Sequence, residues 1–92
     1  MRVRAIAITA MLALRLAAHE GPEHEIEELT HRMDQQGESA DLLLERAIEY
    51  RTLGRWAEAA KDLQRAVRLE PRDPLLFREL AQVQLDRKST RL

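Results

Sequence analysis

The sequence predicts an all-α fold of antiparallel helical hairpins, and three observations carry this prediction. The chain is rich in Ala, Leu, Glu and Arg, which favour helix, and only three of its residues are aromatic. Glycine and proline separate its apolar stretches at intervals that suit ordinary helices. Short connections between those stretches force consecutive helices to run antiparallel. A chain of 92 residues is long enough for one small domain.

Residues 1–18 have the layout of a secretory signal peptide. Residues 1–4 are basic, residues 5–14 carry no charge, and two small alanines end at Ala18. The uncharged run is too short for a membrane span, which needs about 20 residues. This pattern predicts export to the periplasm, or secretion, from a bacterial-type cell. Arg15 is unusual at its place, and the alternative is a cytoplasmic protein with an amphipathic or buried N-terminal helix.

Residues 19–38 predict an acidic lead and a first helix. This stretch holds seven acidic residues and one base, Arg32. Gly21 and Pro22 suit a helix start, and Gly37 suits its end. Between them a narrow apolar stripe recurs at helical spacing, formed by Ile26, Leu29 and Met33.

Residues 39–86 predict three further helices. Ser39 is a good N-cap for the first, Gly54 ends it, and Asp73 is placed to cap the last. The predicted bounds are 39–53, 56–69 and 74–86. Residues 87–92 are polar and unpatterned, which predicts a disordered tail or an artefactual sequence joined to an interrupted gene.

Residues 40–73 resemble a tetratricopeptide repeat, a helix–turn–helix unit with a period of 34 residues. The small residues of the pattern let the two helices approach closely, and the larger ones fill the gaps between these crossings. The matching positions are Leu43, Ala47, Tyr50, Gly54, Trp56, Ala59, Leu63, Ala66 and Pro71. The resemblance implies an α-solenoid fragment.

The sequence departs from the family pattern at several positions. Arg46 replaces a usual leucine, and Arg55 stands where an Asp or Asn would cap the second helix. Residues 74–86 match only the first helix of another repeat, so the resemblance suggests a truncated member of the family. In that helix Phe77, Leu80 and Ala81 take the sites of Leu43, Arg46 and Ala47.

The resemblance implies a protein-binding module, because the first helix of each repeat lines a concave groove in this family. The implied partner-binding residues are Leu44, Ile48, Arg51, Arg78 and Gln82. Some members grip a C-terminal carboxylate with asparagine and basic side chains, and Leu44 and Ile48 disfavour that mode here. These two side chains are either exposed in the groove or covered by the stripe of the first helix.

Other classes of function have weaker support in the sequence. The net charge is −1, and no one-sided basic face suggests nucleic acid. No catalytic constellation or phosphate loop is present, and no cofactor is implied, so an enzyme is not expected. The alternatives are a small periplasmic metal-binding protein that uses His19, His24 and His31, and a purely structural fragment. The C-terminal helix, which has no partner helix after it, predicts self-association.

Overall fold

The computed structural model describes residues 21–90, which form four α-helices and no strand. The helices are α1 (Pro22–Gln36), α2 (Ala40–Thr52), α3 (Trp56–Leu69) and α4 (Pro74–Thr90). Each helix packs against the next one along the chain. The predicted all-α fold of helical hairpins is confirmed. The predicted signal peptide lies outside the described residues.

The helix starts follow from local side-chain chemistry. Ser39 precedes α2, and its Oγ accepts a hydrogen bond of 3.1 Å from the backbone N–H of Leu42. Asp73 precedes α4 in the same way and accepts from the N–H of Leu75 at 3.0 Å. Arg55 precedes α3 and makes no side-chain cap. The predicted caps, and the predicted lack of one before α3, are all confirmed.

The turn between α2 and α3 needs a glycine. Gly54 has a φ of 74°, in the left-handed region that other residues adopt only with strain. Its N–H donates to the carbonyl of Arg51 at 3.0 Å, and the N–H of Arg55 donates to the carbonyl of Tyr50 at 2.8 Å. These two bonds form a Schellman motif, which satisfies the last carbonyls of α2 and turns the chain back on itself.

Small residues form the interface between α2 and α3. Ala47, Ala59 and Ala66 are at most 2% exposed, as the repeat pattern predicted. Because their side chains end at Cβ, the two helices pack closely at these points. Around the alanines lie two apolar clusters, one that reaches α1 through Leu29 and Met33 and one that reaches α4 through Val83.

The helices repeat in pairs with the family period. α1 and α3 begin at residues 22 and 56, and α2 and α4 begin at residues 40 and 74, a spacing of 34 residues in both cases. The buried residues Ile26 and Leu29 of α1 therefore correspond to Ala60 and Leu63 of α3. α1 thus lies one period before α3, at the place that a second repeat helix would take, and this relationship was not predicted from the sequence.

The last helix differs from expectation in its length. α4 continues to Thr90, so residues 87–90 are helical and not a disordered tail. Arg87 and Lys88 lie in its last turn, where the helix dipole favours cations. Before them, Asp86 is held by an ion pair to α2. Both contacts favour helix at this end of α4, whose extra turn the polar sequence did not predict.

Burial along α4 is uneven. Leu76 and Val83 are each 1% exposed and contact the two apolar clusters. Phe77 is 49% exposed although its counterpart Leu43 is fully buried. The difference arises because α3 covers Leu43, whereas no described helix covers Phe77.

Within residues 21–90, every helix is too short or too polar to cross a membrane.

Candidate partner-binding surface

α2 and α4 lie side by side and are joined by charged side chains. The guanidinium of Arg51 donates from Nε to Asp86 Oδ2 at 3.0 Å and from Nη1 to Glu79 Oε2 at 3.4 Å. Gln82 donates from Nε2 to Asp86 Oδ1 at 3.1 Å. One arginine of α2 is therefore flanked by two carboxylates of α4. This network fixes the two helices that form one side of the molecule.

The five residues implied by the family resemblance all lie on α2 and α4, but their environments differ. Ile48 is 46% exposed and Arg78 is exposed, whereas Leu44 is half-buried against both apolar clusters. Leu29 and Met33 of the α1 stripe share an apolar cluster with Leu42 and Leu43, whereas Ile48 belongs to neither cluster. Of the two alternatives in the sequence, exposure therefore holds for Ile48 and partial coverage for Leu44.

An open depression of about 530 Å³ lies at one end of this surface. Its lining is formed by Ile48, Arg51, Thr52, Trp56, Asp86 and Ser89. Apolar and charged groups therefore meet at one place, with a tryptophan at the first position of α3. The repeat pattern predicted that Trp56 fills the core of the hairpin, and its part in this surface was not predicted. Trp56 is half-buried, so it packs against the apolar cluster of the hairpin and also lines the depression.

An ion pair joins α2 to α3, with Asp62 buried and Arg46 half-buried. Arg46 donates from Nε and Nη2 to the two carboxylate oxygens of Asp62 at 2.8 and 2.7 Å. Its Nη1 donates to Thr30 Oγ1 at 3.0 Å, so the same guanidinium contacts α1 and α3. The hydrogen bonds that Arg46 donates to Asp62 raise the pKa of Arg46 above its ordinary value, against the opposing effect of burial. The residue that breaks the family pattern thus links three helices.

Tyr50 lies beneath two guanidinium groups. The guanidinium carbon of Arg55 lies 4.9 Å from the centre of the Tyr50 ring, and that of Arg46 lies 5.7 Å from it. Both distances fit cation–π contacts. Arg55 also donates two hydrogen bonds to Glu58, which raise the pKa of Arg55. Arg55 thus stabilises the turn between α2 and α3 through its contacts with Tyr50 and Glu58, although its side chain does not cap α3.

The histidines do not form a metal site within the described residues. No group of three histidine or carboxylate side chains in that part of the chain is close enough to share an ion. His24 lies 3.6 Å from Glu28 one turn along α1, and His31 is exposed. The third histidine of the metal hypothesis, His19, lies outside the described residues. The geometry of α1 therefore offers at most a pair of ligands.

Comparison with protein families finds a match in the C-terminal half of the chain. The tetratricopeptide-repeat family model matches residues 40–83, which cover α2, α3 and the first part of α4. Neither the curated proteins nor the solved structures gave a match to the chain.

Proposed function

We propose that this chain, which belongs to the tetratricopeptide-repeat family through residues 40–83, is a protein-interaction module that binds a peptide segment in the depression between α2 and α4. Members of this family are generally non-catalytic scaffolds that bind other proteins. One observation carries the proposal of this particular site. Ile48, 46% exposed, lies beside Trp56 in an open depression with charged side chains at its edge.

The lining of the depression suggests the chemistry of the partner. An apolar side chain of the partner would bury the exposed surface of Ile48 and Trp56, which supplies the favourable free energy. Arg51 already contacts two carboxylates, so a third carboxylate from a partner would have to displace one of them. We therefore favour a segment with an apolar anchor and a neutral polar group over one that ends in a free carboxylate.

Two exposed residues of α4 extend the proposed site. Arg78 and Gln82 lie one helical turn apart, and the amide of Gln82 is already oriented by Asp86. A bound segment longer than the depression would run along this row. Leu44 is half-buried against the apolar clusters and does not line the depression, so its part in the proposed site is indirect.

Selection and mutation together test the site. Peptides are selected from a random display library on the immobilised 92-residue chain. Their affinities are then measured by fluorescence anisotropy for the native chain and for Ile48→Glu. A charge placed on the exposed apolar anchor should weaken binding at least tenfold, because the glutamate would be desolvated against the anchor residue of the peptide.

Leu69→Glu provides the matched control. Leu69 is 47% exposed, almost the same as Ile48, but it lies at the end of α3 and does not line the depression. This variant should bind the selected peptides as the native chain does. Peptides that bind the Ile48→Glu variant with unchanged affinity would contradict the proposed site.

Export stays a prediction from the first eighteen residues, and periplasmic or secreted location is part of the proposed function. A partner would then be sought among envelope or extracellular proteins. The alternative, a metal-binding protein, predicts retained metal after dialysis. Elemental analysis of the dialysed chain separates the two, since a peptide-binding module holds no stoichiometric ion.

Self-association through the C-terminal helix also stays a prediction. The exposed half of Phe77 supports it, because exposed apolar surface favours contact with another molecule. We expect such contact between copies to be weak, because exposed cations border this surface and would repel those of a second copy.

A further inference from the structure

A second surface lies on α4, away from the depression. In α2, the residues Leu43 and Ala47 face α3 and are buried. Their counterparts one 34-residue period later are Phe77, 49% exposed, and Ala81, also exposed. We call the surface formed by Phe77, Leu80, Ala81 and Gln84 the α4 face. The equivalent surface of α2 is covered by α3, whereas no described helix covers the α4 face.

The side of α3 next to this face can be identified from the preceding repeat. Thr30 of α1 contacts Arg46 of α2, and one period later these positions are Gln64 of α3 and Leu80 of α4. Gln64 therefore borders the α4 face. Lys61 and Arg68 are three and four residues from Gln64, so they flank it on the same side of α3. Both are exposed.

Two further exposed cations, Arg72 and Lys88, border the α4 face. Glu38 forms an ion pair with Arg65 of the helix that covers α2, and the counterpart of Glu38 one period later is Arg72. Lys88 continues the row of Ala81 and Gln84 along α4 at helical spacing. The four cations that border the α4 face, which we call its rim, are Lys61, Arg68, Arg72 and Lys88. Within residues 21–90, none of the four rim residues makes an ion pair.

We propose that the α4 face binds an amphipathic helix of another protein whose apolar stripe is flanked by acidic residues. The apolar stripe would cover Phe77 and Leu80, and a small residue would be needed opposite Ala81, as Ala59 and Ala66 are found in the interface of α2. The acidic residues would meet the four unpaired cations of the rim. This site is separate from the depression, since no residue of the α4 face lines it.

The repeat also defines where charge belongs on the partner. Arg46 pairs with Asp62 of α3 and corresponds to Leu80 one period later. The partner helix therefore needs an apolar residue at the position equivalent to Asp62. Glu38 pairs with Arg65 of α3 and corresponds to Arg72 one period later. The partner helix therefore needs an acidic residue at the position equivalent to Arg65. A second copy of this chain is disfavoured, because two α4 faces would bring two basic rims together.

Two synthetic helical peptides test the proposal. Both have the 14-residue length of α3 and the same stripe of alanine and leucine, and they differ only in glutamate or lysine at the flanking positions. We expect the 92-residue chain to bind the glutamate peptide about tenfold more tightly than the lysine peptide at low salt, from several exposed ion pairs of modest strength. Added salt should reduce that preference.

Variants of exposed residues then locate the binding. Arg68→Glu with Lys88→Glu should reverse the preference between the peptides, and Phe77→Ser should weaken both. Arg32→Glu, at an exposed cation of α1, is the matched control and should change neither affinity. Equal affinity for the two peptides would overturn the proposal. So would binding that Phe77→Ser leaves unchanged, or a homodimer through this face that the glutamate peptide does not dissociate.

Discussion

Arg46 of α2 and Asp62 of α3 are joined by two hydrogen bonds of 2.8 and 2.7 Å, and Asp62 is only 6% exposed. The family usually has leucine at the position of Arg46. Here an apolar contact between helices is replaced by a paired charge with a third bond to Thr30. Such a bond depends on geometry more than an apolar contact does, so it fixes the angle between α1 and the hairpin.

Asp62→Ala should destabilise the chain by about 1–3 kcal/mol, because it leaves the partly buried Arg46 guanidinium without its carboxylate partner. That is a large share of the stability that so small a core supplies. Urea unfolding followed by circular dichroism measures the change. An unfolding midpoint close to that of the native chain would mean that water replaces the carboxylate at no cost.

The double variant Arg46→Leu with Asp62→Leu provides the control for this prediction. It removes both charges and restores the family's leucine, so it should be more stable than Asp62→Ala alone. The loss of unfolding free energy in the double variant is compared with the sum of the losses in Arg46→Leu and Asp62→Leu alone. If the two are equal, the ion pair has no special role and the packing volume decides the stability.

Ala59→Leu should destabilise the hairpin by about 1–3 kcal/mol, although leucine is a good helix former. Ala59 is fully buried between α2 and α3, so a larger side chain would have to displace its neighbours. Ala57→Leu is the matched control on the same helix, because Ala57 is exposed. Thermal unfolding of the two variants should separate them, and equal melting temperatures would show that the crossing is not closely packed.

The chain should sediment mainly as a monomer at low salt and associate weakly as salt rises. Phe77 offers apolar surface for contact between copies, and the basic rim of the α4 face opposes that contact until salt screens it. Analytical ultracentrifugation at two ionic strengths measures this. A tight dimer at low salt would contradict the assignment of charge to this face, and Phe77→Ser would show whether the dimer uses it.

Expression in a bacterium should give an envelope protein cleaved near Ala18. The basic start and uncharged run of residues 1–18 motivate this prediction. Cleavage there would leave all four described helices intact, since α1 begins at Pro22. Mass spectrometry of the soluble envelope fraction measures the new N-terminus. Cytosolic protein that retains its first residues would rule out export.

Much of the fold follows from short-range signals in the sequence. Ser39, Gly54 and Asp73 act within three residues of themselves, so the helix bounds they set were predicted almost to the residue. The buried alanines of the hairpin followed from the repeat pattern. The end of α4 at Thr90 did not, because residues 87–90 carry no apolar pattern and the nearby contact of Asp86 with Arg51 joins residues 35 positions apart.

The candidate site was predicted less completely than the fold. The pattern identified Ile48 but gave no sign that Arg51 would be paired with two carboxylates of α4. The Arg46–Asp62 pair was missed for the same reason, since its members are 16 residues apart and each resembles an ordinary surface charge. A search for charged residues at core positions of both helices would have found it, because such residues are seldom buried unless they are paired.

Nuclear magnetic resonance mapping of a selected peptide on the isotope-labelled chain tests the central claim most directly. Trp56 is the only tryptophan, so its indole N–H gives a single resolved signal in the depression. We predict that this signal and the backbone amides of Ile48 and Arg51 shift on titration, while those of the exposed side of α1 do not. Shifts confined to α1, with the indole signal unmoved at saturation, would contradict the account.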